Sequence, residues 1–310
     1  MKNVLVSVVI PTYNQPNFLR QAINSVLKQT HKNFELLIVD DCSTDNTADV
    51  VHSYKDTRIQ YIKTEKNLRP PGSWNFGAKK AKGDFISVLP HDDIWHSNFL
   101  EEMINQFKVN PNIAFAQCNF NVINKNTVIV QAHSDIKEIS FSKGVDALEW
   151  QLKHLRCNPA ALLFNLSKIK EAGFWREDYW DDWAIIIKLA YRYGFSYTQS
   201  IYCSVRNHDN NLSKLLNLEK RFGAMMVLDQ LFDIFSFTQP HSLETLSLFF
   251  KHLRRLSLSI FFTSIKYGFK GKFSDSIHKF RISRIINPRI PFDLNILLLI
   301  YLKIISKIKK

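Results

Sequence analysis

Two stretches decide how this chain folds: VSVVIPTYNQ at residues 6–15 and FELLIVDDCSTDNT at residues 34–47. Each opens with a run dominated by Val, Ile and Leu, interrupted only by Ser7 in the first and Glu35 in the second, as expected of a strand covered on both faces of a parallel sheet. Each then stops abruptly in turn-forming and acidic residues. Strands are predicted over Val4–Ile10 and Phe34–Val39. Between them a helix opens at Pro16 or Asn17, with Leu19, Ala22, Ile23, Val26 and Leu27 at helical spacing.

The same alternation continues outward. Ser43, Thr44 and Asp45 can cap a helix from about Thr47 to His52. Further strands are predicted at Arg58–Ile62, Asp84–Leu89 and Ile113–Gln117, and helices at Ser73–Ala81 and Asn98–Lys108. From Val122 to Leu155 the pattern weakens to a hairpin-like excursion followed by a helix. Asp182–Tyr193 recovers a helical period, with Trp183, Ile186, Ile187 and Ala190 on one side. Strand–helix repetition of this kind argues for an α/β fold with a mostly parallel sheet flanked by helices. Such sheets place ligands beyond the carboxyl ends of their strands. Pro11–Asn14, Asp40–Asp45 and Pro90–Asp93 are therefore expected along one edge.

Charge divides the chain in two. Its net charge is +13, yet residues 214–310 hold 17 Lys and Arg against 6 Asp and Glu, which leaves only +2 for residues 1–213. We expect one catalytic domain over 1–213 and a basic, apolar helical extension over 214–310. The last stretch, DLNILLLIYLKIISKIKK, is too short in its apolar part to span a bilayer and suits a helix lying in the interface plane. Cys42, Cys118, Cys157 and Cys203 are far apart and form no CxxC pair, which suits a reducing cytosol. The first apolar run ends at Pro11, so it reads as a buried strand rather than a signal peptide. The basic tail alternates with aliphatic rather than stacking aromatic residues, which argues for a membrane surface and against nucleic acid.

Carboxylates dominate the candidate site. Asp41 follows a buried strand, where it can accept hydrogen bonds from the N–H and hydroxyl groups of a ligand; otherwise Asp40 and Asp41 cap the turn. Asp92 and Asp93 offer hard oxygen ligands for a divalent cation, although Asp93 also suits the start of the next helix. Asp181 and Asp182 open a helix, which holds a carboxylate ionised and suits a general base.

These motifs resemble family 2 glycosyltransferases in six ordered segments: the two quoted above, AINSVLKQT at 22–30, NLRPPGSWNFGAKKAKGDFISVLPHDDIW at 67–95, WDDWAIIIKLA at 180–190 and VRNHDNNLS at 205–213. The resemblance covers residues 4–213 and implies the GT-A fold, a single Rossmann-like domain, with inverting transfer of a sugar from a nucleotide-sugar, most often a UDP-sugar, to a hydroxyl. It assigns Asp41 to the nucleobase with Pro11 and Tyr13 as the adjacent wall. Asn75 borders the donor sugar, and His91 and Arg206 join the nucleotide site. It implies Mg²⁺ or Mn²⁺ held by Asp92 and His208. Asp182 is then the base, with Asp181 beside it in the position usually held by Glu. One departure stands out: Pro90 replaces the first Asp of the family's acidic motif, which weakens the case for strong metal dependence. Together with the tail, the resemblance implies a lipid-linked glycan acceptor in surface polysaccharide assembly, met by a cytoplasmic enzyme peripheral at the inner face of the membrane. A catalytically impaired scaffold and a nucleic-acid binder are the alternatives.

Overall fold

The computed structural model describes residues 4–132, 137–154, 158–177, 183–209 and 211. The elements run β1 (Val6–Thr12), α1 (Pro16–Leu27), β2 (Phe34–Asp40), α2 (Thr47–His52), β3 (Ile59–Lys63), α3 (Gly72–Lys80), β4 (Phe85–Val88), β5 (Ile94–Trp95) and α4 (Phe99–Val109). They continue with β6 (Phe115–Asn124), β7 (Ile129–Ala132), β8 (Ile139–Ser142), α5 (Gly144–His154), β9 (Leu162–Asn165), α6 (Leu166–Ala172), α7 (Trp183–Tyr193) and β10 (Phe195–Asn207).

All ten strands form one sheet, ordered β3-β2-β1-β4-β9-β6-β10-β5, with β7 beside β6 and β8 beside β10. The first four are mutually parallel. Antiparallel β9 then separates β4 from β6, and β6 pairs parallel with β10. Six strands thus point the same way. The α/β sheet is as expected, and the long strand β10 is an addition to that expectation.

Continuous burial in β1 and β2 follows from helices on both faces. Val6, Val8 and Ile10 pack with Leu19, Ile23 and Val26 of α1 and Met103 and Phe107 of α4. The alternate residue Val9 packs on the other face with Ala78 of α3, Ile169 of α6 and Ile186 of α7. Helix α3 lies especially close. A Cβ on Gly77 would stand 2.5 Å from Val9 Cγ1 and 3.1 Å from Val39 Cγ2, so only glycine admits this approach.

At the amino edge of the sheet the buried Glu35 carboxylate accepts from Ser7 Oγ at 2.6 Å and from the Lys82 N–H at 2.7 Å. Its hydrogen bonds tie β1, β2 and the α3–β4 turn together, a structural use of a buried acid. The expected extension over 214–310 lies outside the described residues. No described helix is long and apolar enough to cross a membrane.

Candidate active site

The carboxyl ends of β1, β2, β3, β4 and β10 converge on one edge. In the order β3-β2-β1-β4 the strand order reverses beside β1, and the switch point between the ends of β1 and β4 is where open α/β sheets place their ligand crevice. His91 Nδ1 lies 3.2 Å from the Pro11 carbonyl oxygen across that crevice. Burial pushes the His91 imidazole below its ordinary pKa, against the pull of Asp92, and favours the neutral ring that can donate to this carbonyl. Pro11 is buried, whereas the Tyr13 ring stands 45% exposed beside it. Thr12 is 2% exposed, and its hydroxyl finds no hydrogen-bond partner among the described residues. An orphaned buried hydroxyl at a strand end suits a polar ligand.

The two neighbouring aspartates divide their work. Asp40 Oδ1 accepts from the Ser43 N–H at 2.8 Å, and its other oxygen accepts from the Tyr61 hydroxyl. Asp40 is therefore the turn cap. Burial, and then the Asp40 carboxylate, pushes the Tyr61 phenol up, which keeps it a donor. Asp41 is 4% exposed and turns toward the segment after β3. Its Oδ1 accepts from the Leu68 N–H at 2.7 Å and the Thr64 hydroxyl at 3.2 Å, and its Oδ2 from the Arg69 N–H at 2.8 Å. Loop 64–69, which sequence reasoning passed over, is thus fastened beside the crevice. Asn14 joins the turns after β1 and β2: its N–H donates to Ser43 Oγ at 3.0 Å, and its side-chain oxygen accepts from the Thr44 N–H at 2.9 Å.

Asp92 and His208 meet at the opposite wall. His208 Nε2 is 3.1 Å from Asp92 Oδ2, which also accepts from Asn211 Nδ2 at 3.2 Å. Burial works against ionising Asp92, but the His208 hydrogen bond prevails and holds it below the ordinary carboxylate range. Asp93 goes the other way. It is buried beside Asp92, and desolvation followed by that repulsion pushes its carboxyl well up. Its Oδ1 accepts from the Arg206 N–H at 2.8 Å, a structural bond at the start of β5.

Two expectations are corrected. Arg206 is expected at the nucleotide site, but its side chain is turned into the protein. Nε donates to the Asp92 carbonyl at 2.8 Å, and Nη1 to the carbonyls of Asn124 and Lys125 and to Thr127 Oγ1 at 3.0, 3.2 and 3.1 Å. Nη2 donates to Gln21 Oε1 at 2.9 Å, and the guanidinium lies 4.8 Å from the centre of the Phe18 ring. Asn75 was read as bordering the donor sugar. Its amide instead clasps the main chain of Trp175, donating to its carbonyl at 2.7 Å and accepting from its N–H at 3.1 Å, and also donates to Glu177 at 2.9 Å. Asp181 and Asp182 lie outside the described residues, immediately before α7.

The donor set limits what cation can bind. Asp92 and His208 supply one carboxylate and one imidazole, and among the described residues no cluster of three His, Cys, Asp or Glu surrounds a common point. Mg²⁺ and Mn²⁺ commonly use one or two protein carboxylates and complete their shell with substrate phosphates and water. The pair fits a cation of that kind, delivered with a diphosphate, rather than a protein-caged ion.

Residues 7–168 match the sequence profile described as glycosyl transferase family 2. Among curated proteins the chain is 37% identical over 169 residues to the Escherichia coli UDP-Glc:alpha-D-GlcNAc-diphosphoundecaprenol beta-1,3-glucosyltransferase WfgD, covering 53% of this chain and 66% of that protein. It is 32% identical over 170 residues to WfaP of Escherichia coli, which carries the same activity name, covering 55% and 64%. With the putative teichuronic acid biosynthesis glycosyltransferase TuaG of Bacillus subtilis it shares 34% over 121 residues, covering 38% and 48%. The matches thus span about two thirds of these relatives' length or less. Among solved structures, S. aureus TarS 1–349 in complex with UDP superimposes with a TM-score of 0.58 at 17% identity, over 90% of each chain. TarS in complex with UDP-GlcNAc gives 0.59 at 15%, again over 90% of each. At that identity the likeness speaks for the fold, which agrees with the expected GT-A architecture.

Proposed function

Since the chain belongs to glycosyl transferase family 2, we propose that it transfers a sugar from a nucleotide-sugar, a UDP-sugar in the first instance, to a hydroxyl of a lipid-linked glycan during surface polysaccharide assembly. The observation that carries this reading is the Asp92–His208 pair, 3.1 Å apart at the wall of a crevice between β1 and β4.

In this reading the nucleotide lies over the ends of β1 and β2, against Pro11 and the exposed face of Tyr13. Asp41 borders the base and keeps loop 64–69 in place. The unpartnered Thr12 hydroxyl offers the ligand one more polar contact. Asp92 and His208 would hold a divalent cation, which would neutralise the departing diphosphate. A carboxylate already ionised needs no proton loss to take that part, and the low pKa of Asp92 supports it. His91, neutral and bonded to Pro11, keeps the β1 and β4 loops at a fixed separation.

Asp182 would act as the base, taking the proton of the acceptor hydroxyl as its oxygen attacks the anomeric carbon from the face opposite the diphosphate. Inversion follows from that single displacement. Asp181 would orient it. The acceptor class rests on the printed activities of the relatives and on the +11 charge of residues 214–310, which suits the anionic inner face of a membrane.

Calorimetric titration of UDP-glucose, UDP-GlcNAc and their GDP and dTDP counterparts, with and without Mn²⁺, tests the donor. We expect at least one UDP-sugar to bind more tightly with Mn²⁺ than without it. No binding of any nucleotide-sugar would sink the proposal.

A further inference from the structure

Arg206 sits at the carboxyl end of β10 with its side chain turned into the protein. It is 2% exposed, a large cation almost wholly withdrawn from water. Burial lowers its pKa, and the nearby Asp92 and Asp93 carboxyls oppose that shift. Such a group is costly to bury unless every donor is engaged. Here each side-chain nitrogen finds a protein oxygen, and the partners come from three separate segments: the loop after β4, the turn between β6 and β7, and helix α1.

The main chain of the same residue grips the site a second time. Its N–H donates to Asp93 Oδ1 while its Nε donates to the Asp92 carbonyl, both at 2.8 Å. Two residues further on, His208 packs its ring 4.9 Å from that of Phe18, the ring over which the guanidinium lies. The distance between Asp92 and His208 is therefore set through Arg206, which holds the backbone of one and precedes the other on the same strand end. Loss of the guanidinium would free the Asp92 carbonyl and release the turn at Asn124–Thr127, leaving both groups present but unaligned. Geometric slack of this kind is damaging where a cation must be shared with a diphosphate.

We propose that Arg206 is a positioning residue, whose guanidinium fixes the Asp92 carboxylate against His208 without touching the nucleotide. The inference rests on the reading of Asp92 and His208 as the cation-holding pair.

The test measures UDP affinity by calorimetry, with and without Mn²⁺, for the full chain and for Arg206→Lys. Lysine retains the charge but cannot donate to three segments at once. Metal-free UDP affinity should stay within about twofold, while the gain in affinity conferred by Mn²⁺ should fall at least about tenfold. A residue that only stabilises the fold would lower the melting temperature and leave that gain intact. Should Arg206→Lys fail to fold, Gln21→Leu decides. It removes the α1 oxygen that accepts from Nη2 and from the Thr127 hydroxyl, leaving the guanidinium in place, and should reduce the gain by about threefold. An unchanged gain in the variant that folds overturns the inference, and so does an equal loss of metal-free affinity, which would make Arg206 a phosphate ligand. If the parent chain itself shows no gain with Mn²⁺, it is the cation reading that fails.

Discussion

Asp92 and His208 are 116 residues apart in the chain and 3.1 Å apart in space. One follows β4, the other follows β10, and these strands are separated in the sheet by β9 and β6. A carboxylate and an imidazole meeting across that span, each with little access to water, are held by the fold rather than by local sequence. Asn211 donates to the same carboxylate oxygen.

Asp92→Asn should leave the fold intact and remove most transfer activity. An amide can still accept from Asn211, so the melting temperature should change little. It cannot offer the negative charge that a divalent cation seeks. Normal turnover by the variant at saturating Mn²⁺ would show that the carboxylate holds no metal.

Asp182→Asn should abolish turnover and spare donor binding. Removing a placed base costs about 10²–10⁴-fold in rate. A side chain that acts on the acceptor hydroxyl has no part in holding the nucleotide. Comparing kcat with UDP-sugar affinity checks this, and Asp181→Asn should be the milder variant. Weakened donor binding in Asp182→Asn would reassign the residue to the nucleotide.

Asp93→Asn should flatten the dependence of stability on pH. The folded pKa of Asp93 lies above its unfolded value of 3.8, so the folded state binds this proton more tightly. Its contribution to stability is full below about pH 4 and is lost as pH rises through the folded value. The asparagine keeps the acceptor for the Arg206 N–H and has no proton to lose. Melting curves from pH 4 to pH 8 should fall less steeply for the variant than for the parent; parallel curves would contradict the assignment.

Gly77→Ala tests the packing of α3. The added methyl would stand 2.5 Å from Val9 Cγ1, on a strand with no room to retreat because its other face is also covered. Overpacking of this kind costs about 1–3 kcal/mol. Chemical denaturation should report that loss, and a neutral result would mean that α3 stands further from the sheet.

Deleting residues 293–310 should weaken binding to anionic vesicles while nucleotide binding persists. The segment carries four lysines, each worth about 1 kcal/mol near an anionic surface. Salt screens that attraction over about 8 Å at physiological ionic strength, so binding by the full chain should fall as salt rises. Sedimentation with vesicles decides it. Equal binding with and without the segment removes the proposed anchor.

Much of the fold was legible because strands covered on both faces are written as predominantly apolar runs. Phe34–Asp40 and Val6–Thr12 are of this kind, and the α2 boundaries at Thr47 and His52 agree with the expected ones. Strand β10 escaped because FSYTQSIYCSVRN has neither a continuous run nor a clean alternation, its register being broken between Thr198 and Cys203. Strands β5 and β9 are too short, at 2 and 4 residues, to leave a period. In the site, turns that follow recognisable strands could be placed from sequence. The direction of Arg206 could not. Three of the five oxygens that its side chain meets, those of Asp92, Asn124 and Lys125, are main-chain carbonyls, which any residue would present. Asp41 hid loop 64–69 for the same reason, since it is met there by the N–H groups of Leu68 and Arg69.

The irregular middle of β10 has a consequence for how the gene can change. From Thr198 to Cys203 the strand runs through six residues while its neighbour runs through three, Cys118 to Phe120. The excess is odd, and side chains along a strand alternate sides, so these bulges reverse the parity of everything downstream. Arg206 and His208 meet the Asp92 loop because of that reversal. An in-frame loss of one codon between 199 and 202 would bring Asn207 to the place of Arg206 and Asp209 to that of His208. Every residue of the site would still be encoded, and the site would be gone: here length, as much as identity, is what inheritance must preserve.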